Sequence, residues 1–310
     1  MMETQFFTCK EVKDGLYAAI VKDGQGALGN AGFVDLGDEI LVFDTFMLPQ
    51  AALALREAAE ELTGKKVKYV VNSHYHGDHT NGNIMFKDTV IISTTETRHK
   101  IQESFRNQDV SAMKAGLSSY FAQLEDRIAG ELNGQMRQAL QNDLSDKRLY
   151  AESLDLIEEV LPTVIFDEKL VIQGSERTVE LHHFGGGHTG SDLFMYIPED
   201  QVLYAGDLVL VNNHAWMGHG NPHEWLGILE RMAPFSVSDL IPGHGPVGSH
   251  TNIQSMQEYV GDLIRFVSEM KVKGTSKEEL LGMPVLEKYS KLESPHVYEW
   301  NINFLYDYLG

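Results

Sequence analysis

Residues 74–79 read His-Tyr-His-Gly-Asp-His and follow the mainly apolar run Val67–Val71 after Asn72 and Ser73. An apolar run of this length before polar residues predicts a buried strand that ends in a loop. Three imidazoles and a carboxylate within six residues make the loop a candidate metal site, since these groups suit zinc and also iron or manganese. The first two histidines can point to one side of an extended loop, while the aspartate and the last histidine lie on the following turn. The loop therefore indicates ligands for two neighbouring metal ions.

Three further segments place a histidine or an aspartate beside glycine at the end of a predicted strand or a short apolar run. They are GGGHTG at 185–190, YAGD at 204–207 and PGHG at 242–245. Glycine lets the backbone turn sharply and approach a ligand closely, and α/β proteins carry their sites on loops at strand ends. One such histidine alone is usually an ordinary core or capping residue. The same arrangement at four strand ends indicates a single site.

The rest of the chain alternates short apolar runs with segments of helical periodicity. Strands are predicted at 16–21, 31–36, 40–43, 67–71, 90–92, 164–166, 170–172, 178–184, 193–197 and 202–205. Helices are predicted at about 49–62, 223–232, 252–272, 277–281 and 296–309. Strands in both halves, with helices between and after them, predict a layered α/β sandwich.

Residues 95–160 differ in character, because they contain no proline and many Gln, Glu, Arg and Ala. Apolar residues at spacings of three and four describe one face of a helix: Met113, Leu117, Tyr120, Phe121, Leu124 and Ile128. We predict a helical insertion that covers or flanks the site. Its apolar face is equally consistent with a substrate wall, with packing among its own helices, and with a homodimer contact.

Composition narrows the class of protein. The 310 residues include 25 Lys+Arg, 45 Asp+Glu and one cysteine, and the net charge is −20. This balance argues against a nucleic-acid partner, and a lone cysteine fits a reducing compartment. No apolar run reaches the roughly 20 residues of a membrane helix, and the N-terminus lacks the features of a signal peptide. We expect a cytoplasmic protein without a membrane partner. We also expect one domain over 1–310, with C-terminal helices at about 252–310.

The ligand candidates together resemble the metallo-β-lactamase superfamily of hydrolases over roughly residues 15–250: His74, His76, Asp78, His79, His188, Asp207 and His244. The resemblance implies a four-layer αββα sandwich with the metals in a cleft along one edge of the paired sheets. It assigns His74, His76 and His188 to one metal. It assigns Asp78, His79 and His244 to the second, with Asp207 bridging both.

The family's early aspartate corresponds to Asp44, which follows the run Ile40–Phe43. We expect Asp44 to hold a ligand histidine by a hydrogen bond rather than to touch metal. The resemblance further implies two Zn²⁺ per chain, with Fe or Mn as alternatives, and catalytic roles for Asp78 and Asp207. A metal-bound hydroxide would then cleave a small ester, lactone, amide (β-lactam-like) or thioester.

Residues at which this sequence differs from individual branches of the family limit the reactions that it is expected to catalyse. The common zinc β-lactamases carry cysteine where Asp207 stands, and the lactonases usually have tyrosine at the position of Leu210. The glyoxalase II branch normally has basic residues near its C-terminus, whereas 292–310 contains no Lys or Arg. The net charge of −20 conflicts with the ribonuclease branch. The alternative activity is that of a sulfur dioxygenase with one iron, which two histidines and an aspartate would hold: His74, His188 and Asp207.

The segment NNHAWMGHGNPHEW at 212–225 follows Asp207 and is rich in Gly and Asn, which indicates a loop. Because the loop leaves the expected metal edge of the sheet, His214 and Trp216 are candidate substrate contacts. His219 and His223 are weaker candidates. The alternative interpretation is helix capping and surface packing around Asn221-Pro222.

Overall fold

Two β-sheets pack face to face in the computed structural model, which describes residues 1–310. The larger sheet contains eight strands in chain order: β1 (Met2–Glu3), β2 (Phe7–Lys13), β3 (Leu16–Val21), β4 (Ala31–Asp35), β5 (Ile40–Phe43), β6 (Val67–Val71), β7 (Val90–Thr94) and β8 (Val164–Phe166). The smaller sheet has the order β13-β12-β11-β10-β9, with β9 (Lys169–Gln173), β10 (Thr178–His183), β11 (Leu193–Ile197), β12 (Val202–Gly206) and β13 (Asp239–Pro242).

Strand direction changes within each sheet. In the larger sheet β1 to β5 pair antiparallel, whereas β5 to β8 pair parallel. In the smaller sheet β9 to β12 are antiparallel and β13 is parallel to β12. Parallel neighbours end at the same edge of a sheet. The loops that follow β5 and β6, and those that follow β12 and β13, therefore leave their sheets together.

Apolar side chains from both sheets meet in the middle of the sandwich. Leu41, Phe43 and Val71 of the larger sheet share a buried cluster with Leu181 and Tyr204 of the smaller one. The hydroxyl of Tyr204 donates to backbone carbonyls of the larger sheet, at 3.1 Å from the oxygen of residue 17. This cluster is the inner core, and it joins the two sheets.

Helices cover the outer face of each sheet. The bounds are α1 (Pro49–Thr63), α2 (Gly77–Thr80), α3 (Thr95–Arg106), α4 (Val110–Gly130), α5 (Gly134–Ser153), α6 (Pro222–Met232), α7 (Thr251–Val272), α8 (Lys277–Leu281) and α9 (Pro295–Tyr308). Short 3₁₀ helices lie at Asn81–Phe86, Leu154–Leu156 and Glu287–Tyr289. Helix α1 packs on the larger sheet, and α6, α7 and α9 pack on the smaller one. The predicted four-layer αββα class is thus confirmed. None of the helices has the length and hydropathy to cross a membrane.

The predicted helical insertion consists of α3, α4 and α5. Leu124 of α4 is buried against Leu140 and Leu144 of α5, and Tyr120 and Phe121 pack on them. Much of the apolar stripe is therefore used between the insertion's own helices. Asp109 accepts from the N–H of residue 112 at 3.0 Å and so caps α4.

Most predicted elements appear within one or two residues of their expected bounds. The sequence interpretation missed β1, β2, the one-turn helix α2 and the 3₁₀ helix that follows it. Strand β2 was missed because its sequence, FTCKEVK, has only two buried residues and many polar ones. Its place in the sheet comes from pairing with β3. The expectation that residues 1–310 form one domain stays a prediction.

Candidate metal centre

Seven side chains converge where strands of both sheets end. The loop after β6, with α2, supplies four of them, the loop after β10 supplies one, and β12 and β13 are each followed by one. They are His74, His76, Asp78, His79, His188, Asp207 and His244. The fold therefore brings together the whole predicted ligand set, in two adjacent groups.

The first group consists of His74, His76, His188 and Asp207. His76 Nδ1 lies 3.0 Å from His74 Nε2 and 3.0 Å from His188 Nε2. Asp207 Oδ2 lies 3.1 Å from His188 Nε2 and 3.9 Å from His74 Nε2. Three imidazole nitrogens and a carboxylate oxygen that face one point are a donor set for zinc, and also for iron or manganese.

The second group consists of Asp78, His79 and His244. Asp78 Oδ2 lies 3.4 Å from both His79 Nε2 and His244 Nε2. Asp207 also reaches this group, because its Oδ1 is 3.2 Å from His79 Nε2 and its Oδ2 is 3.4 Å from His244 Nε2. One carboxylate thus faces ligand nitrogens of both groups.

Two buried atoms at the centre, His79 Nε2 and Asp207 Oδ1, lie 3.2 Å apart, but neither forms a hydrogen bond of good geometry with the other or with any other group. Leaving a buried polar atom unpaired usually costs about 1–3 kcal/mol. A metal ion next to both atoms would remove this cost, since both are electron-pair donors. The residues present therefore fit a metal ion in each group.

A tight backbone approach shapes the cluster beside Asp207. A Cβ atom on Gly243 would lie 1.9 Å from Asp207 Oδ1, so only glycine fits at that position. The PGHG segment at 242–245 hence brings His244 to the site and also leaves room for the shared carboxylate.

The ligand rings are held by hydrogen bonds on their far sides. Asp44 Oδ2 lies 2.8 Å from His79 Nδ1, and Asp44 accepts from the N–H and the Oγ of Ser73 at 2.7 Å each. Ser73 Oγ in turn lies 2.9 Å from His74 Nδ1. These contacts leave the Nε2 atoms of both histidines directed at the centre. Asp44 therefore has the position expected of a residue that orients a ligand.

Electrostatics within the cluster favours bound cations. Burial lowers the pKa of His74 and His76 well below the ordinary value, so both rings are neutral at neutral pH. Burial opposes the charged form of Asp78 as well, but the adjacent histidines hold its pKa well below the usual range. Burial also opposes protonation of His244, yet the nearby Asp207 and Asp78 raise its pKa to about 10. Negative potential thus dominates around the second group.

The loop at 212–225 places its two candidate residues differently. Trp216 packs against the ring of His76 with centroids 5.4 Å apart, and its carbonyl lies 2.9 Å from His188 Nδ1. His214 is 3 % exposed and lies 3.0 Å from the Tyr259 hydroxyl through its Nδ1 atom. Trp216 therefore borders the cluster, whereas His214 is packed in the interior beside α7.

Sequence reasoning gave His219 little weight and Tyr75 no role of its own. His219 Nδ1 lies 3.0 Å from His76 Nε2 and 2.9 Å from the Tyr75 hydroxyl. His219 therefore contacts the ligand His76 on the side away from the cluster, and Tyr75 contacts both His219 and the ring of His76, whose centroid is 4.8 Å from its own. The signal available in the sequence was the position of Tyr75 inside the histidine loop.

Two cavities flank the ligand cluster. One has a volume of about 440 Å³ and is bordered by His244. The other has a volume of about 670 Å³, is bordered by His76, and includes Met47, Phe105 and Met113 in its wall. The insertion contributes to the walls of both cavities.

Comparison with known families agrees with this fold and site. Residues 24–244 match the metallo-beta-lactamase superfamily, and this range includes every ligand candidate. The chain therefore belongs to the metallo-β-lactamase superfamily, a superfamily of hydrolases.

Individual relatives are distant. The chain is 20% identical over 287 residues to a linear primary-alkylsulfatase of Pseudomonas sp., covering 86% of this chain and 52% of that relative. It is 23% identical over 125 residues to a metallo-beta-lactamase type 2 of Bacteroides fragilis, covering 38% of this chain and 50% of that relative. The chain thus spans about half the length of these relatives.

Solved structures show the same fold. A metallo-beta-lactamase from Pontibacter korlensis superposes with a TM-score of 0.60 at 14% identity, covering 82% of this chain and 99% of that one. VMB-1 superposes with a TM-score of 0.60 at 17% identity, covering 84% and 99%. At these identities the likeness concerns the fold alone.

Proposed function

We propose that this protein is a hydrolase with two zinc ions per chain, which cleaves a small ester, lactone, amide or thioester. The observation that carries the proposal is the position of Asp207. Its carboxylate lies 3.1 Å from His188 Nε2 in one group and 3.2 Å from His79 Nε2 in the other. A carboxylate shared between two ligand groups is what a pair of adjacent dications needs for charge balance.

His74, His76 and His188 would hold one ion, Asp78, His79 and His244 the other, and Asp207 both. When bound, the ions would lower the pKa of water and polarise the acyl oxygen. In the hydrolysis, water adds across the acyl bond to give a carboxylic acid and an alcohol, thiol or amine.

The chain's own residues supply positioning and proton acceptance. Asp78 and Asp207 offer carboxylate oxygens at the cluster that can accept the proton of the attacking water. Asp44 and Ser73 fix the rings of His79 and His74. Trp216 packs on the ring of His76 and covers part of that side of the cluster.

The alternative activity is a dioxygenase with one iron held by His74, His188 and Asp207. In that case Asp78 and His79 would be buried charged or polar groups with no ligand to satisfy them. Such groups are costly to keep inside a protein. The complete second group therefore favours the two-ion hydrolase.

The proposed substrate is a small molecule rather than a nucleic acid. The two cavities beside the cluster, about 440 Å³ and 670 Å³, are of the size that binds small ligands. A net charge of −20 does not suit a polyanionic partner.

Metal analysis combined with an activity panel tests the proposal. Purified protein should contain about two zinc ions per chain, and it should cleave at least one of an ester, a lactone, a β-lactam and a thioester. Asp207→Ala should lose this activity by orders of magnitude, whereas Asp155→Ala at an exposed position should keep it. A single iron with oxygen uptake and no hydrolysis would overturn the proposal.

A further inference from the structure

The smaller of the two flanking cavities contains an unusual concentration of negative charge. Its wall includes the metal-ligand candidate His244, so a molecule inside the cavity also touches the cluster. Asp143 and Asp146 of α5 line it and are 9 % and 8 % exposed, and Glu293 lies at its more exposed rim. The cavity therefore joins buried carboxylates to the reaction centre.

Neither of the two buried carboxylates forms a salt bridge within the protein, and Lys147 favours the charged form of Asp146 only from a distance. Asp143 accepts a hydrogen bond from the Tyr120 hydroxyl at 2.7 Å, and Asp146 accepts one from the N–H of Gly26 at 2.6 Å. The one lysine in the wall, Lys22, is paired with a glutamate outside the cavity at 2.7 Å. Buried charges are normally paired, so these two lack the partner that their position calls for.

A second feature of the wall also points to a ligand. His296 lines the cavity, is 7 % exposed, and has a buried Nδ1 atom without any hydrogen-bond partner. Asn212 and Ser294, also in the wall, have left-handed backbones with a φ of 57° each. Unsatisfied buried groups and strained non-glycine residues concentrate at binding sites.

We propose that this cavity binds a positively charged amine, so that the substrate carries an ammonium group as well as the scissile acyl bond. The inference rests on the proposed function, since it names the substrate class of that hydrolase. An ammonium group in the cavity supplies the missing countercharge for Asp143 and Asp146, while the acyl group lies at the metal cluster beside His244. Anionic substrates are disfavoured by the same carboxylates.

Three esters of matched length test the charge preference. They are the 4-nitrophenyl esters of 6-aminohexanoate, hexanoate and adipate, which place a cation, a methyl group or an anion at the far end. We expect kcat/KM to fall in that order. Asp143→Asn and Asp146→Asn should each reduce the preference for the cationic ester about tenfold, with little change for hexanoate. Asparagine keeps a hydrogen-bond acceptor at each site, so folding should be preserved.

Asp109→Asn is the matched control. It removes the same charge from the wall of the other cavity and keeps an N-cap side chain for α4. The order of the three esters should be unchanged in this variant. Glu293→Gln, at the rim, provides a variant that does not affect buried packing, and it should weaken the preference in the same direction but less.

Calorimetric binding separates failure of the inference from failure of the proposed function. The probe is hexyltrimethylammonium, which has no lone pair to bind a metal, compared with hexanol. If hexyltrimethylammonium binds about tenfold more weakly to Asp146→Asn than to the wild type, the cavity assignment is supported, even if no ester is cleaved. In that case only the proposed ester hydrolysis fails. Cleavage of the three esters at equal rates, with equal binding of the two probes, overturns the inference and leaves the hydrolase proposal intact.

Discussion

Replacing Asp146 by asparagine should stabilise the protein at neutral pH. Burial raises the pKa of Asp146 from 3.8 to about 6 in the folded protein, although the N–H of Gly26 partly opposes this. The folded state therefore binds the proton more tightly than the unfolded chain. Stability is accordingly lost as pH rises through the window from 3.8 to about 6. At about 1.4 kcal/mol per pH unit, the loss amounts to about 3 kcal/mol.

The asparagine variant avoids this loss because it has no charge to bury. Its side-chain oxygen can still accept the hydrogen bond from Gly26, and the stronger bond to the charged carboxylate is already included in the pKa of about 6. We therefore expect Asp146→Asn to unfold with a free energy about 3 kcal/mol larger than the wild type at pH 7.5. Near pH 4 the two proteins should differ little, because the carboxyl is then protonated in the folded state.

Urea unfolding at a series of pH values, in the presence of a chelator, measures this difference without interference from metal binding. The quantity to follow is the free energy of unfolding of the variant minus that of the wild type. Asp109→Asn removes one negative charge from an exposed position rather than a buried one, and it serves as the matched control. A difference for Asp146→Asn that depends no more on pH than that of the control would refute the reasoning, since it would mean that burial does not disfavour the charged carboxylate.

Three further substitutions test the metal centre. Asp207→Ala should lower zinc content and turnover together, by orders of magnitude, because it removes the carboxylate shared by both ligand groups. Asp44→Asn should weaken zinc binding about 10–100-fold in competition with a chelator, since the carboxylate no longer orients the ring of His79. His219→Ala should weaken zinc binding by about tenfold or less, because it removes only a contact on the far side of His76.

Controls distinguish a metal effect from a folding effect in these variants. His99→Ala removes an imidazole outside the cluster and should leave zinc content unchanged. Circular dichroism should show that each variant keeps the wild-type fold when saturated with zinc. Zinc affinity of Asp44→Asn equal to that of the wild type would mean that the ring of His79 is oriented by packing alone.

The inner layers of the fold follow from sequence because their strands are largely apolar. Leu193–Ile197 is buried at every position, and a continuous apolar run is the direct consequence. Val67–Val71 is buried at three of its five positions, and only Lys68 is exposed. Strand Phe7–Lys13 lies toward the outside of the larger sheet and is polar at most positions. Its strand conformation comes from long-range pairing with Leu16–Val21, which local pattern does not reveal.

The ligand set could be predicted from the sequence because each ligand lies in a glycine-containing segment that follows a recognisable strand. The contacts that the ligand rings make with neighbouring side chains could not be predicted from the sequence. Tyr75 and His219, for example, are separated by 144 positions. The loop at 212–225 also shows a limit of prediction from sequence, here for residues that are close together in the chain. His214 and Trp216 are two positions apart in one polar segment, yet only Trp216 borders the cluster. Which of two neighbours faces a site is decided by tertiary packing.

The metal-ligand candidates and the cavity carboxylates lie on different segments of the chain, and this separation leads to a final prediction. All seven ligand candidates lie outside the insertion, whereas Asp143 and Asp146, which give the smaller cavity its charge, lie inside it on α5. If the reaction centre and the choice of substrate are built on separate segments, changes on α5 should alter substrate preference without altering metal binding. The double variant Asp143→Asn/Asp146→Asn should therefore hold as much zinc as the wild type while losing its preference for the cationic ester. Loss of zinc in this variant would show that α5 also supports the ligands, and that selectivity and metal binding are not separable in this protein.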